Sequence, residues 1–128
     1  MAQVLKQCII EVPDEVGRLA ELTEKIKKAK INILALCGWV EGHTGRLMMV
    51  TEDHDQVYTA ISLIVDQCEF REVVSVKLPN ETGSLNRIAH QLADAGIHVK
   101  LVYATGGEAD EATVILDTDN NIKAAEII

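Results

Sequence analysis

The chain has 128 residues, 48% of them hydrophobic and 25% charged, with 20 acidic side chains against 12 basic ones and a formal charge of −8. That length sets a ceiling of one or two small domains, and the composition is that of a globular protein. The acidic excess speaks against a phosphate-binding surface of clustered Lys and Arg, and the aromatic residues Trp39, Tyr58, Phe70 and Tyr103 are too few for a base-stacking platform, so no nucleic-acid partner is expected.

No run approaches the ~20 apolar residues that a bilayer crossing requires, so no membrane partner is expected. The start, MAQVLKQC, lacks a basic segment followed by an apolar one and a small-residue cleavage site. Cys8, Cys37 and Cys68 are odd in number and widely spaced, which reads as reduced thiols in a cytoplasmic protein.

In chain order, residues 7–12 (QCIIEV) form an apolar run with a β-branched pair that ends at Pro13, a strand. Asp14 is a suitable N-cap for the helix that follows, with Gly17 allowing a start one or two residues later. Leu19, Leu22, Ile26 and Ala29 recur at three- and four-residue spacing and mark its core face. Lys25, Lys27, Lys28 and Lys30 gather at its end, complementing the helix dipole. Residues 31–40 are almost continuously apolar and read as a strand buried on both faces or nearly so. The segment Glu41-Gly42-His43-Thr44-Gly45 is a hairpin turn into a strand over 46–51. Asp53 or Asp55 then caps a second helix that turns Val57, Ile61, Ile64 and Val65 inward, and residues 70–78 return to strand. The order is β-α-β-β-α-β.

The chain then repeats itself. VPDEVGRLAELTEKIKKAKINIL lies over LPNETGSLNRIAHQLADAGIHVK with Pro13 on Pro79, Gly17 on Gly83, Leu19 on Leu85 and Ile31 on Ile97. The same offset carries Leu47–Val50 onto Thr113–Leu116, Asp53 onto Asp119 and Ile61 onto Ile127, so a duplicated unit without a gap is expected. The second unit reads as a strand over 73–78, a helix near 83–95 with Leu85, Ile88, Leu92 and Ala95 inward, and a strand over 97–105. The turn Gly106-Gly107-Glu108-Ala109-Asp110, a strand over 112–117 and a helix from about Asn120 complete it. One long strand must serve both units. The sequence stops inside a helix with no closing strand, from which a native chain continuing past Ile128 is expected.

The residues that carry both repeats resemble the ACT domain: an apolar strand, then Pro-Asn/Asp-x-x-Gly-x-Leu, then a helix ending Ala-Gly-Ile-Asn/His. VPDEVGRLAELTEKIKKAKINI and LPNETGSLNRIAHQLADAGIHV both carry the pattern, the second more closely. The resemblance covers nearly the whole chain. It implies an α+β, ferredoxin-like βαββαβ fold in two tandem ACT-type repeats, residues 1–70 and 71–128, with antiparallel sheets, helices on one face and the final strand of the second repeat missing. It also implies a stand-alone, non-catalytic regulatory protein that binds a small amino acid or related metabolite, with a homodimer and a metabolic enzyme as expected partners. Ligand contacts are implied at Asp14, Val16, Gly17, Arg18, Leu19 and Asn32, and at Asn80, Thr82, Gly83, Ser84, Leu85 and His98. Asp14 and His98 stand where the family usually has Asn.

The chemistry of these turns can be argued from the residues alone. A strand-to-helix turn presents backbone N–H groups at a helix N-terminus, where partial positive charge favours a carboxylate. Gly17 and Gly83 remove a Cβ that would block close approach. Asp14 offers an acceptor for an ammonium group, and Asn80 both donates and accepts. Asn80 paired with Asn32, or Asp14 with His98, is one arrangement; ordinary helix caps and polar strand starts are the other. No Cys-x-x-Cys, His-x-His or nucleophile elbow is present, so no metal, cofactor or catalytic set is expected. Cys37 and Cys68 read as buried small hydrophobes. Trp39, beside Gly38 and the hairpin turn, suits an interface between chains if exposed.

Overall fold

A computed structural model describes residues 2–106 and 108–128. Gly107, part of the expected second hairpin turn, and Met1 of the amino-terminal segment lie outside the described residues. The chain divides into two compact units, one of residues 6–71 and one of residues 72–128 together with residues 2–5.

The first unit takes β1 (Ala2–Pro13) from Lys6 onward, followed by α1 (Arg18–Lys28), β2 (Ile33–Glu41), β3 (Thr44–Thr51) and α2 (His54–Ile61). It closes on the first residues of β4 (Gln67–Pro79), up to Arg71. Strands β2, β3 and β1 lie in that order and pair antiparallel. Because side chains alternate along a strand, the register places Cys8 opposite Met49, Ile10 opposite Leu47 and Val12 opposite Gly45 on the helix-facing side. Those residues meet Leu22 and Ile26 of α1 and Val57 and Ile61 of α2 in one core. Each such side chain removed from water contributes about 1.5–3 kcal/mol. Ile64 and Val65, expected on α2, fall in the turn after it and still pack against this core.

The second unit repeats the plan with β4 from Glu72, α3 (Ser84–Asp94), β5 (Val99–Ala104), β6 (Glu111–Thr118) and α4 (Asn121–Ile127). Its strands run β5, β6, β4, again antiparallel. Val74, Val76, Leu78, Val114 and Leu116 pack against Ile88, Leu92 and Ala124, and Ala2 lies against the same core. Asn121 fixes the start of α4. Its Oδ1 accepts from the Thr118 N–H and the Thr118 hydroxyl, each at 2.8 Å, and its Nδ2 donates to the Glu72 carbonyl at 3.0 Å.

The βαββα order of both units matches the sequence expectation, with four corrections. Asp14 does not cap α1: the N-cap is Gly17, in the left-handed region at φ 92°, and Gly83 repeats this at φ 91° before α3. A residue with a Cβ is strained there, so glycine sets where each helix starts. Leu19 and Leu85, expected inward, are about half exposed, because the buried stripe runs beside them, through Leu22 and Ile26 in α1 and through Ser84, Ile88 and Leu92 in α3. The strand expected over 31–40 is not buried on both faces: Leu34, Leu36, Trp39 and Val40 are exposed on β2, the last strand in its row. Finally, the repeat is not gapless. Cys8 opposes Met49 while Val74 opposes Leu116, and the helix-capping residues are Asp53 and Asn120, so one extra residue enters in the longer β5–β6 turn.

Candidate functional site

In the first unit, β1 ends at Pro13 and the chain takes four residues to reach α1. The Asp14 N–H donates to the His43 carbonyl at 3.0 Å, pinning this turn to the β2–β3 hairpin. A cavity of about 440 Å³ opens beside the turn. Val12, Pro13, Asp14, Glu15 and Leu19 line one side; Leu36, Gly38, Trp39 and Val40 of β2 and Gly45, Arg46 and Leu47 of β3 line the other. That volume falls within the usual range of about 300–1,000 Å³ for small-molecule sites.

Strand pairing sets the close approaches along this wall. Gly38 lies opposite Leu47, and Val40 opposite Gly45. A Cβ on Gly38 would stand 2.7 Å from Leu47 Cδ2, and one on Gly45 would stand 3.1 Å from Val12 Cγ2. Glycine at these two positions thus lets Leu47 and Val12 close in against the neighbouring strands, and Leu36, Val40 and Leu47 wall the cavity beside them. Asp14, Glu15 and Arg46 are the charged residues of its lining. Arg46 donates to Glu11 Oε1 at 2.6 Å, and its Nε lies 3.0 Å from Glu41 Oε2 in an ionic contact without hydrogen-bond alignment. The Arg18 Nε donates to Glu15 Oε1 at 2.9 Å, and this hydrogen bond, helped by the Glu15 charge, pushes the guanidinium pKa up. No side chain caps α1; the Arg18 N–H donates to the Glu15 carbonyl at 3.3 Å, and the Leu19 and Ala20 N–H groups of the first turn have no acceptor within the helix.

Of the residues singled out in the sequence, Asp14 and Leu19 meet at this cavity. Val16 is fully exposed, and Gly17 is the αL residue at the helix start. Asn32 does not line the cavity; its Nδ2 donates to Glu52 Oε1 at 3.3 Å and its carbonyl accepts from the Glu52 N–H at the same distance. In the second unit, Asn80 Nδ2 donates to the Ala109 carbonyl at 2.8 Å, turning the amide toward the β5–β6 turn. Thr82 and Leu85 are exposed. Ser84 is buried, and its hydroxyl has no hydrogen-bond partner among the described residues, at the N-terminus of a helix that no side chain caps. His98 is exposed; its N–H donates to Asp119 Oδ1 at 3.1 Å and its carbonyl accepts from the Asp119 N–H at 3.0 Å.

Gly38, Gly45, Val40 and Leu47 were not legible as site residues. The available signal was Gly38 beside Trp39 in an otherwise apolar strand, which marks a close approach of two chains as readily as a cavity. Among the described residues no group of His, Cys, Asp and Glu is placed to hold a metal ion, and no helix is long and apolar enough to cross a membrane.

Two βαββα units, each with its first helix entered through an αL glycine, define an ACT-type fold. Among solved structures, the chain is similar to protein BT0572 from Bacteroides thetaiotaomicron, at 29% identity and a TM-score of 0.88, over 98% of this chain and 87% of that one. It shares its fold with the ligand-free regulatory subunit of aspartate kinase from Thermus thermophilus, at 12% identity and a TM-score of 0.70, over 98% of this chain and 93% of that one. The regulatory subunit of aspartate kinase from Thermus flavus is similar in the same way, at 16% identity and a TM-score of 0.66, over 99% and 90%. Neither protein-family models nor curated proteins match the sequence.

Proposed function

We propose that this chain is a cytoplasmic, non-catalytic regulatory protein that binds a small amino acid or related metabolite at its strand-to-helix turns, chiefly in the cavity of the first unit. The observation that carries this reading is the cavity itself, which opens on the turn between β1 and α1. A zwitterion suits its lining. The ligand carboxylate takes the first-turn N–H groups of α1, where the helix dipole favours negative charge. The ammonium group takes Asp14, and an aliphatic side chain takes Leu36, Val40 and Leu47. Ser84 and the N–H groups of α3 offer a smaller counterpart in the second unit. Fold alone does not assign function, so the weight rests on this geometry rather than on the aspartate kinase regulatory subunits.

A second reading is supported by β2. Leu34, Trp39 and Val40 are exposed on the last strand of a row, which suits docking on a metabolic enzyme or on a second copy of this chain. Trp39 is the chain's single tryptophan and lines the cavity, so its fluorescence reports on the site directly. Titrating the protein with each of the twenty amino acids, while following Trp39 emission and thermal unfolding, is expected to give a saturable change for one or two of them. At ~100 times the dissociation constant the native state gains about 2.7 kcal/mol. No emission change and no stabilisation with any of them would leave the docking reading in its place.

A further inference from the structure

Cys8 and Cys68 stand sixty residues apart in the chain, yet their Sγ atoms lie 2.9 Å apart. Cys8 faces inward from β1 at 2% exposure, beside Ile10 in the core of the first unit. Cys68, near the start of β4, packs half-buried against the same core. The separation is within about 1 Å of the covalent S–S length. Nothing in the spacing of the two cysteines along the sequence anticipates this contact.

The two thiols are unequal. The hydrogen bond from Cys8 draws the Cys68 pKa down, while the same bond, together with burial, pushes the Cys8 pKa far up. Cys68 is also the thiol that solvent reaches, whereas Cys8 is buried, so Cys68 is the attacking thiolate and Cys8 the resolving thiol held against it.

We propose that Cys8 and Cys68 form a thiol–disulfide exchange site, which a low-molecular-weight disulfide of the glutathione class converts into an intramolecular disulfide. The Cys68 thiolate attacks one sulfur of the oxidant, forming a mixed disulfide and releasing one glutathione thiolate. Cys8 gives up its proton to that thiolate and attacks the Cys68 sulfur, expelling the second glutathione. One disulfide is reduced to two thiols and two protein thiols are oxidised to one disulfide; excess thiol reverses both steps. The bond closes a loop that contains every residue lining the cavity, because those residues all fall between 12 and 47.

The test is to treat the reduced full-length protein with oxidised glutathione, then map its peptides without reduction. The expected result is a Cys8–Cys68 linkage with an intact mass lower by two hydrogens. It is accompanied by a rise in the unfolding midpoint on the order of 10 °C, reversed by dithiothreitol. Cys8→Ala is expected to trap glutathione on Cys68, whereas Cys68→Ala leaves Cys8 unmodified. Glutathione retained on Cys68 in the unsubstituted protein, a bond from either residue to Cys37, or a bond between chains would overturn the proposal. The peptide map needs no variant, so it decides the matter even where a substituted chain fails to fold.

Discussion

At the end of the first helix in each unit the chain turns through the same left-handed geometry on different residues. In the second unit Gly96 takes it at φ 70°, with the Ile97 N–H donating back to the Leu92 carbonyl at 2.9 Å. In the first unit Lys30 takes it at φ 59°, with the Ile31 N–H reaching the Ile26 carbonyl at 3.2 Å. The sheets differ as well. Opposite Leu47 the first unit has Gly38, whereas opposite Val114 the second has Ala104; opposite Val12 it has Gly45, whereas opposite Leu78 the second has Ala112. The second unit has alanine where the first has glycine in its sheet, and glycine where the first accepts strain at a helix end. The first unit thus departs from the second at positions that wall its cavity, as expected where a site constrains residues that folding alone would choose otherwise.

The largest effect that would break this comparison comes from replacing the first of these sheet glycines. In Gly38→Ala the new Cβ meets Leu47 Cδ2 and drives that side chain toward the cavity. Affinity for whichever amino acid the Trp39 titration identifies is expected to fall roughly tenfold, equivalent to about 1.4 kcal/mol. Ala104→Gly, the reciprocal change in the second unit, is expected to leave that affinity unchanged. Equal losses from both substitutions would show that the glycines of the first unit have no special part in binding.

A somewhat smaller effect sharpens the comparison at the helix ends. A side chain in the left-handed region costs about 1–2 kcal/mol relative to glycine. Glycine also enlarges the unfolded ensemble, which returns part of that gain. Lys30→Gly is therefore expected to stabilise the protein by about 1 kcal/mol, and Gly96→Lys to destabilise it by a similar amount, both read from urea unfolding midpoints. No change from Lys30→Gly would mean that Lys30 makes compensating contacts in the native state.

Much of this architecture was legible because it follows from periodicity and turn chemistry. Leu22 with Ile26, and Ile88 with Leu92, mark the helix faces, and the glycines at 17 and 83 mark where the helices start. The misread positions have physical reasons. Leu19 and Leu85 keep the helical period but lie just off the buried stripe of their helices. Leu34, Leu36 and Val40 look doubly buried as sequence, yet an edge strand exposes them. The one-residue insertion in the β5–β6 turn was hidden because Leu47–Val50 and Thr113–Leu116 are both β-prone runs that tolerate a slip. The cavity was least legible of all: its lining comes from the turn after β1 and from β2 and β3, which only strand pairing brings together. The Cys8–Cys68 contact is long-range in the same sense.

That thiol pair has no counterpart in the second unit, where Val74 occupies the position of Cys8, and it should make the first unit sensitive to pH in a distinctive way. Under reducing conditions the reference is the double variant Cys8→Ala with Cys68→Ala. Cys68 has a lowered pKa in the folded state, so its contribution is lost as pH falls through that lowered value and is fully present above the ordinary thiol value of 9.0. Cys8 has a raised pKa, so its contribution is fully present below 9.0 and declines above it, where the unfolded chain releases a proton that the folded one keeps. The stability difference between native protein and double variant is therefore expected to rise with pH toward about 9 and fall beyond it. A difference that stays flat across this range in urea unfolding would mean that the two thiols titrate independently in the folded protein. It would leave Cys68 without the proton-sharing partner that makes it the stronger nucleophile.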